Sequence, residues 1–392
     1  MSYLKPSQKL CLSAAIASTL IACTAVQVSP TWERWFSASE QEVRYELIHQ
    51  VHYDSAGAVL SVGSSSSTQS SHDVIVVAKH ATNGTLLWKS SIDLDSDDKP
   101  WDSVIGTDGS IYVITETSLV KLNSAGSEVW RRSLAQLLGA NPLLRDIEFN
   151  NNRLYLAGRD LYVFDIHGNL SNAISQIAPL WDVVVHNTGI YTAGTGQVKR
   201  YNSNFNMVWS YALNTVQNPP AELAVANDGS VFVATYNSNP QDSAYLTRLN
   251  PQGQLVWSKF FNDPDTNSFQ LSGIPKVRLM ANGNVVFGVS QHPTRTLYII
   301  DPTTGAIKNS NTQKTGLINE LEVDSNNTIY VVGGKTAQKF DANATLLAYS
   351  TLGSDADITS GGLAFTATNI YVGAGVLKGG NMTMYLANYK NQ

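Results

Sequence analysis

The chain has 392 residues, 43% of them hydrophobic and only 15% charged, which is ample for a folded core and too polar for a multispan membrane protein. Its formal charge of −5 argues against a nucleic-acid partner, because binding phosphate needs a basic surface. Two cysteines cannot build a disulfide framework, a four-cysteine zinc site or an iron–sulfur cluster.

The first segment reads as an address rather than as fold. Lys5 and Lys9 form a short positive region, and the thirteen residues from Leu10 to Ala22 are uncharged and apolar. That run is too short to span a bilayer comfortably and fits the hydrophobic part of a secretory signal. It ends in Leu20-Ile21-Ala22-Cys23, which resembles the lipobox of bacterial lipoproteins. The resemblance implies cleavage before Cys23 and acylation of the new terminus, palmitate included, with several acyl chains giving a stable anchor. It divides the chain into a lipoprotein signal peptide (1–22), a lipidated cysteine with a short tether (23–31) and one folded domain (32–392). Thr24 rather than Asp after the cysteine implies sorting to the outer membrane in preference to the inner, with the domain facing the periplasm. An ordinary cleaved signal with Cys23 incidental is the alternative.

The rest is one unit written about eight times. A clear copy reads Asp108-Gly109-Ser110, IYVIT, SLVKLN, a turn at Ala125-Gly126, then EVWRRSL. Others open with VLSVG, LYLAG, IYTAG, VFVAT, VVFGV, IYVVGG and IYVGAG. The strands are short, rich in Val, Ile, Tyr and Leu, and parted by Asn-Gly, Asp-Gly and Gly turns suited to tight hairpins. A period of about 42 residues is the size of a four-stranded propeller blade, and no stretch of the mature chain has a convincing helical period. The expected fold is all-β: a single β-propeller of about eight four-stranded blades, with seven as the alternative count. The last copy stops after MYLANYK, one strand short. An N-terminal strand is therefore expected to close the ring, with Val43–Ile48 in that place and Trp32 or Trp35 packed beside it, because an open edge invites aggregation.

A Tyr- or Leu-containing third strand, a Gly turn, a hydrophobic pair and then Trp88, Trp130, Trp209 or Trp257 resembles the quinoprotein-like propeller repeat. The same fold occurs in the propeller lipoprotein of the outer-membrane β-barrel assembly machinery. Val77-Ala78-Lys79 before Asn83-Gly84, and Leu386-Ala387-Asn388-Tyr389, are similar to the SBBP repeats of bacterial exported proteins. The resemblance runs from about Val43 to the end and specifies fold, not task. Quinoprotein dehydrogenases carry an adjacent-cysteine pair beside their cofactor; the mature chain has only Cys23, which argues against quinone chemistry. The four tryptophans are expected to pack between blades.

No nucleophile elbow, zinc-protease motif or phosphate loop is present. His49 and His52, three apart on a strand, point to opposite faces and make a poor joint metal site. Aligning the copies on their inner strands puts Asp102, Asp146, Asp182, Glu222 and Glu320 in one register, with Lys276 in the sixth copy and Gly361 or Gly362 in the last. Inner strands line the channel, so these carboxylates should ring one mouth and could hold a cation or a basic group; a repeated structural acid that caps a turn is the plainer reading. Trp101 and Trp181 each precede a ring acid and suit sugar or ammonium recognition. Asp93, Asp95 and Asp97, with Asp98, resemble the opening of an EF-hand loop, but Asp98 stands where glycine is needed and Val104 where the bidentate glutamate belongs. Calcium is the one cofactor such loops would take, and otherwise none is expected. Asp263 with Asp265, and Asp355 with Asp357, lie in equivalent connections.

The reading these features favour is a membrane-anchored, non-enzymatic propeller scaffold or accessory protein for an envelope complex, its partner an outer-membrane β-barrel engaged in assembly or uptake. The alternatives are a propeller-type hydrolase or lactonase with a cation in the channel, and a carbohydrate or small-ligand binder.

Overall fold

A computed structural model describes residues 25–37, 43–55, 57–67, 73–94, 99–139, 141–213, 221–237, 243–261, 273–291, 294–314, 316–352, 361–378 and 381–391. The segment expected to be a signal peptide with Cys23, Asp95, Asp97 and Asp98, and the acidic pairs at 263/265 and 355/357 lie outside the described residues. The described residues form eight sheets, each with four antiparallel strands in order from the channel outwards, arranged as the blades of one propeller. In chain order the inner strands are Val43–Tyr53, Asp102–Ile105, Asp146–Asn150, Leu180–His186, Ala221–Val225, Lys276–Leu279, Glu320–Val323 and Gly361–Phe365. Every inner strand starts at one end of the channel, here called the upper mouth. The hairpins joining first to second and third to fourth strands therefore lie on the lower rim.

The core is distributed. Eight clusters of buried apolar side chains fill the seams between successive blades, including the one between the last blade and the first. Alternation explains this: residues of one parity on a strand face the preceding blade and those of the other parity face the next, so the central strands are buried on both sides. Ile111, Tyr112, Val113 and Ile114 are each fully buried.

A repeated lock joins the blades. The fourth strand of a blade carries a bulge and then a tryptophan, whose indole N–H donates to a carbonyl in the third-to-fourth hairpin of the next blade. Trp88 reaches Ser124 (3.2 Å), Trp130 reaches Ile166 (3.3 Å), Trp209 reaches Pro251 (3.0 Å) and Trp257 reaches Pro302 (2.8 Å). The hairpin glycine lets the ring lie flat against it. A Cβ on Gly126 or Gly253 would stand 2.5 Å from the indole of Trp88 or Trp209, and both glycines have φ near +80°. The four tryptophans thus pack between blades as their spacing implies.

Closure differs from the expectation in one respect. The fourth strand of blade 8 is Trp32–Phe36, paired antiparallel with Asn381–Lys390, and Trp32 donates to Thr82 of blade 1 at 2.8 Å as a fifth copy of the lock. Val43–Tyr53 is instead the inner strand of blade 1, joined by a short turn to Val59–Ser67. The physical reason is burial: Ile48 and Val51 are 0% and 4% exposed and belong in the interior, whereas Trp32 in the outer place supplies the indole of the lock. The chain also engages the propeller before Trp32. Val26–Gln27 adds in parallel to the outer edge of blade 7, making that sheet five-stranded.

One short helix, Leu134–Leu138, leads from blade 2 to blade 3; Ser133 caps it and Gly139 ends it in the left-handed conformation. Five residues are too few to show a period in the sequence.

Candidate functional site at the channel mouth

The register inferred from the sequence is the register of the sheets. Asp102, Asp146, Asp182, Glu222, Lys276 and Glu320 pair with Ile114, Ala157, Ala193, Ala234, Gly288 and Val332, the equivalent positions of the second strands. Gly362, opposite Gly373, holds the place in blade 8. A Cβ there would come within 2.4 Å of the Val51 nitrogen, so glycine lets blade 1 close against blade 8. The matching residue of blade 1 is Gln50, opposite Val62. The sequence reading missed it because a bulge between Ile48 and Gln50 shifts the frame. Gln50, Asp102, Asp146, Asp182, Glu222, Lys276 and Glu320 together line a cavity of about 810 Å³.

Four carboxylates do the same structural task. An oxygen of each accepts from the backbone N–H that follows the ring residue of the next blade: Asp102 from Ile147 (3.2 Å), Asp146 from Val183 (2.8 Å), Asp182 from Leu223 (2.5 Å) and Glu222 from Val277 (3.2 Å). Each latch satisfies an inner-strand donor that the sheet leaves open, where an unpaired buried N–H would cost about 1–3 kcal/mol.

Their electrostatics then diverge. On blades 2 to 4 the acids hydrogen-bond one another, Asp146 to Asp102 and Asp182 to Asp146. Burial pushes Asp102 up to about 6. It drives Asp146 well above the usual carboxylate range, helped by the charge of Asp102, and Asp182 likewise, helped by Asp146 and Glu222. Glu148, two residues along the same face, is pushed to about 7 by burial and by Asp182. On this side of the mouth every one of these shifts is upward.

Blades 5 to 7 are built around cations. Lys276 Nζ lies 3.1 Å from Glu222, and Arg278 pairs with Glu222, with Glu320 at 3.2 Å and with Glu322 at 3.0 Å. Burial would raise Glu222, but Lys276 and Arg278 outweigh it and hold it below the usual range. For Glu320 burial wins and the shift is upward. Arg278 therefore ties three blades together. Sequence reasoning missed it, although its place two residues after Lys276 put it on the same channel face.

Trp101 is 44% exposed at the rim. The Arg145 guanidinium lies over its ring at 4.2 Å and over that of Trp181 at 5.4 Å, so the chain's own cation occupies the place between them. His49 bonds Ser64 at 3.0 Å and His52 bonds Ser103 at 2.7 Å; they share no site, and burial lowers both to about 4. The Asp93 carbonyl accepts from Arg131 at 2.7 Å. Among the described residues no three His, Cys, Asp or Glu side chains converge on a metal position.

A family model described as outer membrane protein assembly factor BamB matches residues 72–239. The crystal structure of BamB from Moraxella catarrhalis superposes with a TM-score of 0.62 at 12% identity, covering 93% of this chain and 98% of that one. The architecture is BamB-like. The WD40 propeller of Doa1 and the Pan2 WD40 domain of Neurospora crassa align at TM-scores of 0.48, with 15% and 11% identity, covering 77% and 74% of this chain and 94% and 86% of theirs. No curated protein matches the sequence. In this BamB-like propeller the inner-strand acids are latches between blades, and the upper mouth they frame divides into a half where acid lies beside acid and an ion-paired half.

Proposed function

We propose that the protein is a lipid-anchored scaffold of the bacterial envelope that serves an outer-membrane assembly complex, with its upper mouth turned towards the partner. The BamB-like propeller supports the role, and the lipobox-like Leu20–Cys23 supports the anchor. The observation that carries the orientation is the entry of the chain. Val26 pairs with Ala348 near the lower end of blade 7, running parallel to Leu346–Thr351, so the segment that would bear the lipid approaches from the lower rim. From Cys23 to Val26 three residues span at most about 10 Å. An anchor there holds the lower rim near the membrane and leaves the acidic and ion-paired mouth free.

Radioactive palmitate should label the wild type and not Cys23→Ala; an unlabelled wild type removes the anchor. A photocrosslinking residue at Trp101, on the upper rim, should capture an outer-membrane β-barrel or an assembly component from intact membranes, and one at Val208, on the lower rim, should not. Capture from Val208 alone would reverse the orientation.

A further inference from the structure

The seam between blades 7 and 8 departs from the others. The residue after the outer-strand bulge is Trp209 in blade 4 and Trp257 in blade 5, opposite Arg200 and Arg248. The same position in blade 7, opposite Lys339, is Ala348. Other seams without the tryptophan are filled in another way. Between blades 3 and 4, Phe205 of the hairpin packs in. Between blades 6 and 7, Asn309 and Asn311 reach the hairpin at Asn343 and Ala344, at 3.4 and 2.8 Å.

Blade 8 has no such hairpin to offer. Its corner is made by Tyr389 and Lys390 from one end of the chain and Thr31 from the other. Small Ala337 and Ala348 lie opposite, and a cavity of about 390 Å³ remains. Its walls are Val332, Leu363, Ile370 and Val372, and the strap residues Val26–Val28 lie over it, held by the Val28 N–H to the Tyr349 carbonyl at 2.9 Å. A few polar groups converge on it: Ser350 and Tyr389 bring hydroxyls to one side, that of Tyr389 buried without a hydrogen-bond partner among the described residues, Gln338 brings a buried Oε1 that is likewise unpartnered, and Lys339 Nζ, at the edge, bonds Asn391 at 3.1 Å. A concave, mainly apolar space with a few convergent polar groups, within the range of about 300–1,000 Å³, has the character of a small-ligand site.

We propose that this cavity binds a planar aromatic group of indole size, presented by a free molecule or by the side chain of a bound peptide. The sister seams supply the argument for shape, since an indole from the chain itself fills the equivalent place in five of them. The volume exceeds one indole ring and leaves room for the atoms that carry it. Ser350 and Tyr389 supply hydroxyls to an N–H or O–H on the ring, and Lys339 can face its π-surface.

The test uses full-length protein, with indole and N-acetyltryptophanamide as probes and ligand-observed NMR as the readout. Indole should bind the wild type, and Ala348→Trp, which refills the seam, should weaken binding at least tenfold and raise the melting temperature. Ala337→Leu narrows the same cavity from the third strand and should also weaken binding, which keeps the test valid if the tryptophan variant folds poorly. Tighter binding of N-acetyltryptophanamide assigns the site to a partner's side chain, and tighter binding of indole to a free molecule. Absence of binding to the wild type at millimolar probe, or unchanged affinity in both variants, overturns the proposal. The assay needs no lipid and no membrane, so its outcome is independent of the anchor.

Discussion

The two halves of the channel mouth use one backbone device and opposite electrostatic solutions. Asp146 and Glu222 each cap the N–H of the next inner strand. Asp146 has other acids beside it and its pKa is raised, whereas Glu222 has Lys276 and Arg278 beside it and its pKa is lowered. A latch of this kind needs only an acceptor oxygen, which a carboxylic acid and a carboxylate both provide. The ring's common property is thus its hydrogen bonding, and the direction of each pKa shift depends on neighbours.

That contrast is broken most severely at Arg278. Arg278→Met leaves Glu222, Glu320 and Glu322 with one partner fewer in a desolvated place and should cost about 3–5 kcal/mol in urea unfolding. On the acid half the largest effect should come from Asp146→Leu, which strands the Val183 N–H and should cost about 1–3 kcal/mol; a loss as large as that of Arg278→Met would mean the acids carry charge after all. The pH dependence separates the halves further. Asp102, Asp146 and Asp182 bind protons more tightly folded than unfolded, so their contribution is full below the ordinary carboxylate pKa of about 4 and is lost as pH rises through about 6 and beyond. Glu222 runs the other way, stabilising above its ordinary value and losing that contribution as pH falls. The melting temperature of the wild type should therefore fall between pH 4 and pH 7 relative to an Asp102→Asn, Asp146→Asn, Asp182→Asn variant; parallel profiles would show the three acids ionised. Asp146→Asn alone at pH 6 should be the mildest change, within about 1 kcal/mol, because the amide has the same shape, keeps an acceptor oxygen for the Val183 N–H and removes a carboxyl that has no cationic partner here.

The blades were legible because the turn glycine and the tryptophan recur at fixed spacing, and each is demanded by the contact the two make, as Trp88 and Gly126 show. The acid register was legible for the same reason: Asp102, Asp146 and Asp182 repeat one backbone latch. What escaped was whatever breaks the repeat. Gln50 hides behind a bulge, and the strand order at the N-terminus was misjudged because Trp32–Phe36 and Val43–Tyr53 both alternate plausibly. Only three-dimensional burial shows which one lies inside. Arg278 and Arg145 escaped because a cation's role here depends on neighbours contributed by other blades: Glu222 and Glu320 for the first, Trp101 and Trp181 for the second.

The closing strand has a kinetic meaning as well. Glu33 meets Tyr385 across a separation of 352 residues, and the Trp32 lock joins blade 8 to blade 1. No ring can be completed until Asn381–Lys390 has emerged, while a four-strand meander can form locally much earlier. Blades are therefore expected to assemble in order as an open arc whose two ends wait for each other, with the docking of five residues, Trp32–Phe36, onto the final hairpin as the expected last step. The same strand governs the way out: as long as it holds, opening any single seam leaves both neighbouring blades tethered around the circle, so lifetime against unfolding depends on its release rather than on the sum of the seams.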